Sequence, residues 1–207
     1  HEAATGALAL QADVSDEEQF RDVYARARQE YGRIDVLFNN AGISPNDDVS
    51  VLDTSFEAWQ RVQDVNLKSV FLCCKHELRV MAEQGSGAIL NMASAAGLIG
   101  WPGASGYVAA KHGVVGLTKA AAVEFAAQGS RVNSICPSYT TTPMVDDLFE
   151  NILGGDPAQV EAARANHPIG RFAEPSGIAA ACVWLMSDKA SFVTGSTVAV
   201  DGGYTAP

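Results

Sequence analysis

The sequence is short of cations and has no long apolar run, and each shortage excludes a class of function. Its 207 residues contain 14 Lys and Arg against 24 Asp and Glu, a formal net charge of −10 at pH 7. Such a surface repels phosphate backbones, and no basic cluster interrupts it, so we expect no nucleic-acid partner. No apolar stretch approaches the ~20 residues that cross a membrane, so we expect no membrane partner. The opening HEAATGALAL has neither a basic n-region nor a cleavage site, which indicates a cytoplasmic protein.

Cysteine is also scarce, and its spacing does not suit a metal. The four cysteines, Cys73, Cys74, Cys136 and Cys182, all lie in apolar segments. None of them has the spacing of a metal-ligand motif, and the adjacent pair points to different sides of a helix. We therefore predict four buried free thiols and no metal site.

The residues that are present indicate one α/β domain spanning residues 1–207. Apolar residues make up 47% of the chain and charged residues 18%, enough to build a sizeable core. Short apolar runs alternate with helical patterns, which predicts a parallel sheet. The predicted strands are residues 7–13, 34–40, 88–94, 131–137 and 196–203.

The predicted helices have recognisable ends. Ser15 with Glu18, and Thr54 with Glu57, have capping-box spacing, so helices are expected from these points to Gly32 and to about Gly85. Further helices are expected over residues 107–128 and 174–186. Between residues 138 and 168 the periodicity weakens, as is typical of a lid or a binding segment.

One pair of residues suggests chemistry. Tyr107 and Lys111 are four residues apart, which places them one turn apart on one helix face. An ammonium next to a phenol favours the phenolate and moves the tyrosine pKa toward physiological pH, where it can exchange protons with an alcohol or ketone. By itself Tyr-x-x-x-Lys is a weak motif, because it also arises by chance.

Other motifs strengthen the pair because they follow in one order along the chain. They are NNAG at 39–42, Asn66 in VNLKS, Ser94 closing ILNMAS, Tyr107 with Lys111, PSYTTTPM at 137–144 and DGGY at 201–204. In this order the chain resembles the short-chain dehydrogenase/reductase (SDR) family from about Ala7 onward. The resemblance implies an NAD(P)-dependent oxidoreductase that transfers a hydride between the nicotinamide and a secondary alcohol or ketone.

The resemblance also implies roles for a catalytic tetrad. Tyr107 exchanges the proton on the reacting oxygen, and Lys111 lowers its pKa and holds the nicotinamide ribose. Ser94 hydrogen-bonds the reacting oxygen, and Asn66 anchors a water beside Lys111. Taken singly, Ser94 would be read as a strand-end cap and Asn66 as an exposed polar position on a helix.

Further positions match the family's cofactor contacts. Asp13 and Val14 match the adenine contact, and the segment with Asn39, Ala41 and Gly42 matches the lining of the adenosine ribose. Thr142 matches the threonine that holds the carboxamide, in the segment that Pro137 begins. Two positions there depart from the family pattern. Ser138 replaces the usual glycine, and Thr140, which is also a predicted cofactor contact, replaces a β-branched aliphatic residue. Both changes add polar bulk beside the nicotinamide.

The fold implied by the resemblance is a Rossmann-like doubly wound parallel sheet, of which the first two strands are expected to be missing. No G-x-x-x-G-x-G phosphate-binding turn occurs, and Ala7 aligns with the start of the family's third strand. A strand at 7–13 would then have no neighbour in the sheet. Two explanations stay open: further residues precede it, or this strand pairs elsewhere, for example with another chain.

Two functions therefore compete. The tetrad favours an NAD(P)-dependent enzyme, with a slight preference for NAD. The missing phosphate-binding turn favours a non-catalytic fragment or an assembly subunit. Apolar Leu98, Trp101 and Met144 predict a small uncharged hydroxy or keto substrate.

A surplus of apolar residues on the helical segment 54–84 suggests a protein partner. The residues concerned are Val62, Val65, Phe71, Leu72 and Val80. The resemblance implies a homotetramer, a dimer of dimers, with a second contact at residues 198–200.

Overall fold

The structure, a computed structural model, describes residues 7–44, 49–152 and 154–206. The helices are α1 Glu17–Tyr31, α2 Phe56–Gln63, α3 Ser69–Gln84, α4 Ser105–Phe125, α5 Pro143–Asp147, α6 Pro157–Ala165 and α7 Pro175–Met186. The strands are β1 Val36–Asn39, β2 Gly87–Met92, β3 Ser130–Pro137 and β4 Thr197–Val200. Single π turns occur at Asp64–Lys68 and Leu148–Ile152, and 3-10 turns at Ala95–Gly97, Ala126–Gln128 and Asp188–Ala190.

The four strands form a parallel sheet in the order β1-β2-β3-β4, which confirms the predicted α/β class. Neighbouring side chains of a strand enter different cores, as the pleat requires. Ile89 packs with residues of α3 and α4, whereas the next residue, Leu90, packs with Ile178 and Leu185 of α7. Helices therefore cover both faces of the sheet, as in a doubly wound fold.

The predicted strand at 7–13 is wrong. These residues are irregular and mostly exposed, and among the described residues no strand lies beside them. A lone parallel strand would leave its amides and carbonyls without partners, so the segment has no reason to become a strand.

Both predicted capping boxes are displaced by one residue. The α1 cap is Asp16, whose carboxylate accepts from the amides of Glu18 and Gln19. The α2 cap is Ser55, whose hydroxyl accepts from the Ala58 amide at 3.1 Å. Ser15 instead donates its hydroxyl hydrogen to Asp13 at 2.7 Å, and Thr54 donates to the Ser50 carbonyl at 3.0 Å. Ser15 and Asp16 are both residues that cap helices well, and so are Thr54 and Ser55. In each case the side chain of the first residue is engaged in a hydrogen bond within a local turn, so the second residue becomes the cap.

All four cysteines are buried and free, as predicted. Burial raises the pKa of Cys73 and of Cys74 to about 12, so these thiols stay protonated at neutral pH. Within the described ranges, no helix is long and apolar enough to cross a membrane. The cytoplasmic location stays a prediction.

The segment after β3 is more ordered than its sequence pattern indicates. It contains α5, a π turn and α6, which close over an aromatic cluster around Tyr139. The Tyr139 ring lies 5.5 Å from Phe149 and 5.2 Å from Trp101, measured between centroids. The segment is ordered by contacts between rings that are far apart along the chain, and such contacts leave no helical periodicity in the sequence.

Gly129 provides a test of the packing between the residues that precede β2 and β3. Its φ is +82°, and a Cβ there would lie 2.1 Å from the Gly85 carbonyl oxygen. We expect Gly129→Ala to lower the free energy of unfolding by about 2 kcal/mol or more, because both backbone strain and a clash result. Urea denaturation measures this. Gly100→Ala is the control, since nothing lies within 4 Å of its added Cβ, and equal stability of the two variants would contradict the packing.

Candidate active site

A cavity of about 850 Å³ opens at the carboxyl ends of the first three strands. Its wall begins with the residues that follow β1, β2 and β3, and α4 adds Tyr107 and Lys111. The carboxyl edge of a parallel sheet is where doubly wound folds bind ligands, because successive strand ends and helix starts converge there. The predicted catalytic residues are therefore gathered around one space.

Lys111 is the most constrained group in this wall. Its side chain is only 4% exposed, and its Nζ donates a hydrogen bond to the Met92 carbonyl at 2.9 Å. The same Nζ lies 5.5 Å from the centre of the Tyr107 ring, as the four-residue spacing predicts. Burial lowers the pKa of Lys111 from 10.5 to about 8. At pH 7 the ammonium is charged but is held in a site that disfavours its charge.

Tyr107 behaves differently from the sequence prediction. Burial raises the pKa of its phenol above the ordinary 10, and a hydrogen bond with Ser94 partly opposes this shift. The expected lowering of the pKa by Lys111 is not what dominates here, because desolvation of the phenolate is the largest effect. At neutral pH the tyrosine therefore holds its proton.

Ser94 caps the turn at the end of β2 and also contacts Tyr107, whereas its hydrogen bond to the reacting oxygen stays a prediction. It is 8% exposed, and its hydroxyl accepts from the Ala96 amide at 3.2 Å, which caps the 3-10 turn after β2. It also hydrogen-bonds Tyr107. The capping interaction thus holds the Ser94 hydroxyl in position to hydrogen-bond Tyr107.

Asn66 lies in the π turn between α2 and α3 and is completely buried. Its Oδ1 accepts from the Ile43 amide at 2.8 Å, and its Nδ2 donates to the Ile43 carbonyl at 3.0 Å. Gly42 is next to this pair. A Cβ on Gly42 would lie 3.2 Å from Asn66 Oδ1 and 3.8 Å from Lys111 Nζ. The exposed helix position is therefore excluded for Asn66, which braces the loop after β1 beside Lys111.

The predicted cofactor contacts are only partly brought together. Tyr107 and Lys111, which are also predicted cofactor contacts, line the cavity together with five others, but the Asn39 side chain lies in the core, where it donates to Asn91 at 2.8 Å. Asp13 and Val14 are not in the cavity wall; Asp13 is exposed, and its hydrogen bonds with Ser15 lower its pKa. The five others in the wall are Ala41, Gly42, Pro137, Thr140 and Thr142.

Of the two departures from the family pattern, Thr140 is accommodated within the loop itself, whereas the Ser138 hydroxyl contacts residues outside the loop. Thr140 donates its hydroxyl hydrogen to the Ser138 carbonyl at 3.2 Å, and Thr142 donates to the Thr140 carbonyl at 3.1 Å. The Thr141 amide donates to the Ala173 carbonyl at 2.9 Å. The extra polar groups are thus hydrogen-bonded, and the loop still forms the cavity wall.

Sequence analysis missed several wall residues. Asn40, Tyr139 and Tyr204 line the cavity, whereas Leu98, proposed for specificity, is not in its wall. Strand alternation could have identified Asn40, because only one of two neighbouring asparagines can face the cavity. Tyr139 lies inside the PSYTTTPM motif, but its aromatic partners come from distant segments and leave no local signal.

The cavity wall fits the nicotinamide half of a dinucleotide. Gly42 leaves a cradle that a side chain would fill, and Lys111 has spare donors, since within the described residues its hydrogen bond to Met92 uses only one of three. Thr140 and Thr142 also lie in the cavity wall and carry hydroxyl groups. Ribose hydroxyls and a carboxamide are partners of suitable polarity for these groups.

The buried ammonium predicts a measurable pH effect on stability. The unfolded chain binds the Lys111 proton more tightly, so below pH 8 the charge costs the fold about 3 kcal/mol, and this cost disappears as the pH rises from 8 to 10.5. We expect Lys111→Met to stabilise the protein by roughly 2 kcal/mol at pH 7, with an advantage that shrinks toward pH 10.

Chemical denaturation at several pH values measures this difference. Lys119→Met is the control, because Lys119 is an exposed lysine on the same helix. If Lys111→Met were less stable than the parent protein at pH 7, the hydrogen bond to Met92 would outweigh the burial of the charge.

Comparison with known proteins is consistent with this geometry. A family model described as enoyl-(acyl carrier protein) reductase matches residues 1–205. Cis-4-hydroxycyclohexanecarboxylate dehydrogenase of Sinomonas cyclohexanicum is 46% identical over 207 residues, covering 99% of this chain and 79% of the relative. Cyclohexanol dehydrogenase of Acinetobacter sp. (strain SE19) is 44% identical over 199 residues, covering 96% and 75%.

A solved structure is also similar to this chain. The crystal structure of levodione reductase superposes with a TM-score of 0.94 at 40% sequence identity, covering 98% of this chain and 80% of that chain. The chain therefore belongs to the short-chain dehydrogenase/reductase family and is an oxidoreductase that transfers a hydride between NAD(P) and an alcohol or ketone.

Proposed function

We propose that the cavity is the active site of an NAD-dependent dehydrogenase/reductase for a small uncharged secondary alcohol or ketone on a six-membered carbon ring. The observation that carries this proposal is the convergence of Ser94, Tyr107 and the buried Lys111 at the carboxyl edge of the sheet. The non-catalytic alternative does not explain why the fold keeps a buried ammonium beside a tyrosine.

In this proposal the chain's own groups handle the oxygen and its proton. Ser94 donates a hydrogen bond to the substrate oxygen, and Tyr107 gives that oxygen a proton in reduction or removes one in oxidation. The raised pKa of Tyr107 keeps it protonated, which suits reduction. When bound, the nicotinamide supplies or accepts the hydride at the carbon that bears this oxygen.

Lys111 and Asn66 support the tyrosine. The Lys111 ammonium holds the ribose hydroxyls and stabilises negative charge on Tyr107 as the proton leaves. Asn66 fixes the loop after β1 and, with Lys111, holds the water of the proton relay. Ala41, Gly42, Pro137, Thr140 and Thr142 complete the contacts to the cofactor.

The electrostatics of the wall favour an uncharged substrate. Among the described residues that line the cavity, Lys111 is the only cation. No arginine is therefore in this wall to pair with a carboxylate on the substrate. The preference for NAD over NADP stays a prediction.

The substrate end of the cavity is apolar and partly aromatic. Its side chains include Trp101, Tyr139, Met144, Leu148 and Tyr204. Flat rings and aliphatic groups bind a compact alicyclic ring by apolar contact. Two of the relatives are named for substrates with a cyclohexane ring, which supports a six-membered ring in the substrate of this chain.

Steady-state assays test the substrate class. The protein should oxidise cyclohexanol with NAD⁺ at a kcat/KM at least about tenfold higher than it oxidises hexan-2-ol, because a ring loses less conformational freedom on binding. Assays with NADP⁺ are run in parallel. A preference for the linear alcohol, or for NADP⁺, would contradict the corresponding part of the proposal.

Tyr107→Phe tests the chemistry in the same assay. The variant deletes one hydroxyl and little volume, so kcat should fall by about a hundredfold or more while the melting temperature is retained. Tyr31→Phe is the matched control, since Tyr31 is exposed on α1. Residual activity of Tyr107→Phe within about tenfold of the parent would refute the acid/base role.

The expected surplus of apolar surface is smaller than the sequence suggests. Val62, Leu72 and Val80 are buried inside this chain, and only Phe71, 49% exposed, lies clearly at the surface, with Val65 half-buried. Other exposed apolar side chains are nevertheless found on α2 and on α4, namely Phe56, Trp59 and Val123. We infer that these side chains form one interface of a homotetramer and that β4, an edge of the described sheet, forms the other.

Light scattering tests this assembly. The parent protein should have the mass of a tetramer, and Phe71→Glu should reduce it, because a carboxylate would be buried in the interface. Leu52→Glu is the control, since Leu52 is 92% exposed in a turn outside these helices. A parent monomer of about 22 kDa, or a tetramer that tolerates Phe71→Glu, would rule this interface out.

A further inference from the structure

His167 is a buried histidine that the catalytic arrangement does not use. It follows α6, is 2% exposed and has both ring nitrogens in hydrogen bonds. Nδ1 lies 2.9 Å from the Ala163 carbonyl oxygen, and Nε2 lies 2.9 Å from Ser138 Oγ. The ring is therefore held on two sides and links α6 to the loop after β3.

The hydrogen bond to Ser138 persists in either protonation state of the ring. A carbonyl oxygen can only accept, so Nδ1 carries a proton. In the neutral ring Nε2 then accepts the Ser138 hydroxyl hydrogen, and in the charged ring Nε2 donates to Oγ. Ser138 Oγ also lies 3.2 Å from the Asp201 carbonyl oxygen, to which it donates when Nε2 supplies the other hydrogen.

Rigid surroundings fix the position of the ring. The rings of Tyr204, Phe172 and Tyr139 have centroids 4.9, 5.6 and 5.7 Å from that of His167. The Ile169 amide donates to the Gly202 carbonyl at 3.1 Å, which ties this turn to the end of β4. The imidazole has little freedom to move away from Ser138.

Ser138 begins a chain of hydrogen bonds that runs along the cavity wall. Its carbonyl accepts from Thr140, whose carbonyl accepts from Thr142. Thr140 and Thr142 are two of the proposed cofactor contacts. A shift of Ser138 would therefore be transmitted, bond by bond, to hydroxyl groups at the cofactor site.

We propose that His167 is a positioning residue that holds the 137–142 loop in its cofactor-binding geometry through its hydrogen bond to Ser138. This inference rests on the proposed function. The serine that replaces the family's usual glycine is thus paired with a histidine about thirty residues later, and the two act as a unit.

Asparagine and glutamine distinguish the two nitrogens. Glutamine places its amide near the Nε2 position and can still bond Ser138, whereas asparagine places it near Nδ1 and cannot. We expect His167→Asn to raise the NAD Kd by roughly tenfold, and His167→Gln to stay within about threefold of the parent. Calorimetric titration gives the Kd, and thermal melting is recorded for each variant.

Ser138→Ala and the double variant His167→Asn/Ser138→Ala complete the cycle. If His167 acts through Ser138, His167→Asn adds no further loss of NAD affinity once the hydroxyl is absent. His112→Asn is the control, because exposed His112 makes the same contact with the carbonyl four residues earlier, Val108, at 3.0 Å.

The outcomes separate this inference from the proposed function. Additive losses in the double variant, or a lower melting temperature with unchanged NAD affinity, would overturn the positioning role. If His167→Asn does not fold, His167→Gln and Ser138→Ala still decide it, since the first should bind NAD normally and the second weakly. A parent protein that binds neither NAD nor NADP would refute the proposed function and the inference together.

Discussion

The burial of one ammonium group is the constraint on which this site depends. Lys111 is almost inaccessible, and the charge is tolerated because the Met92 carbonyl accepts from it. The turn after β2 comes close to the backbone of this lysine only because it carries glycine, since a Cβ on Gly97 would lie 2.8 Å from the Lys111 carbonyl oxygen. A Cβ on Gly42, in the segment after β1, would lie at an ordinary contact distance of 3.8 Å from Nζ. The turn after β2 is therefore shaped around Lys111.

A buried polar chain fixes the helix that carries Lys111. Asn39 donates to Asn91 at 2.8 Å, and Asn91 donates to the Thr118 hydroxyl at 2.9 Å, which joins β1, β2 and α4. Thr118 lies two turns after Lys111, on the same helix face. Because buried polar groups need their own partners, the chain sets the register of α4 against the sheet. Asn39 thus contributes to the site through the core and not through the cavity.

The sequence predicted the strands and the long helix of the site better than the details around them. The four strands of the sheet and α4 were found because strands with apolar runs and a long helix of small residues leave local patterns. The caps at Asp16 and Ser55 were missed by one residue, since neighbouring side chains compete for the same amides. Which apolar residues of α3 are buried within the chain depends on distant packing, as Leu72 and Val80 show.

The bond between Ser138 and His167 was invisible for the same reason. The sequence marks Ser138 as unusual, but the partner that accommodates it lies in a different segment and has no motif of its own. Likewise, desolvation dominates the pKa of Tyr107, and the degree of desolvation follows from the closed cavity and not from the Tyr-x-x-x-Lys spacing.

The π turn at Asp64–Lys68 restricts how this chain can change in length. A π turn contains one residue more than the α turn it replaces, and deleting a residue rotates the following helix by about 100°. Asn66, within this turn, holds Ile43, while α3 beyond it packs Cys74, Leu78 and Met81 into the core. A single-residue deletion in this turn would break either the hydrogen bond to the Ile43 amide or the packing of α3 into the core. We therefore expect an insertion or deletion to be tolerated better in the connections between elements than within this helical segment.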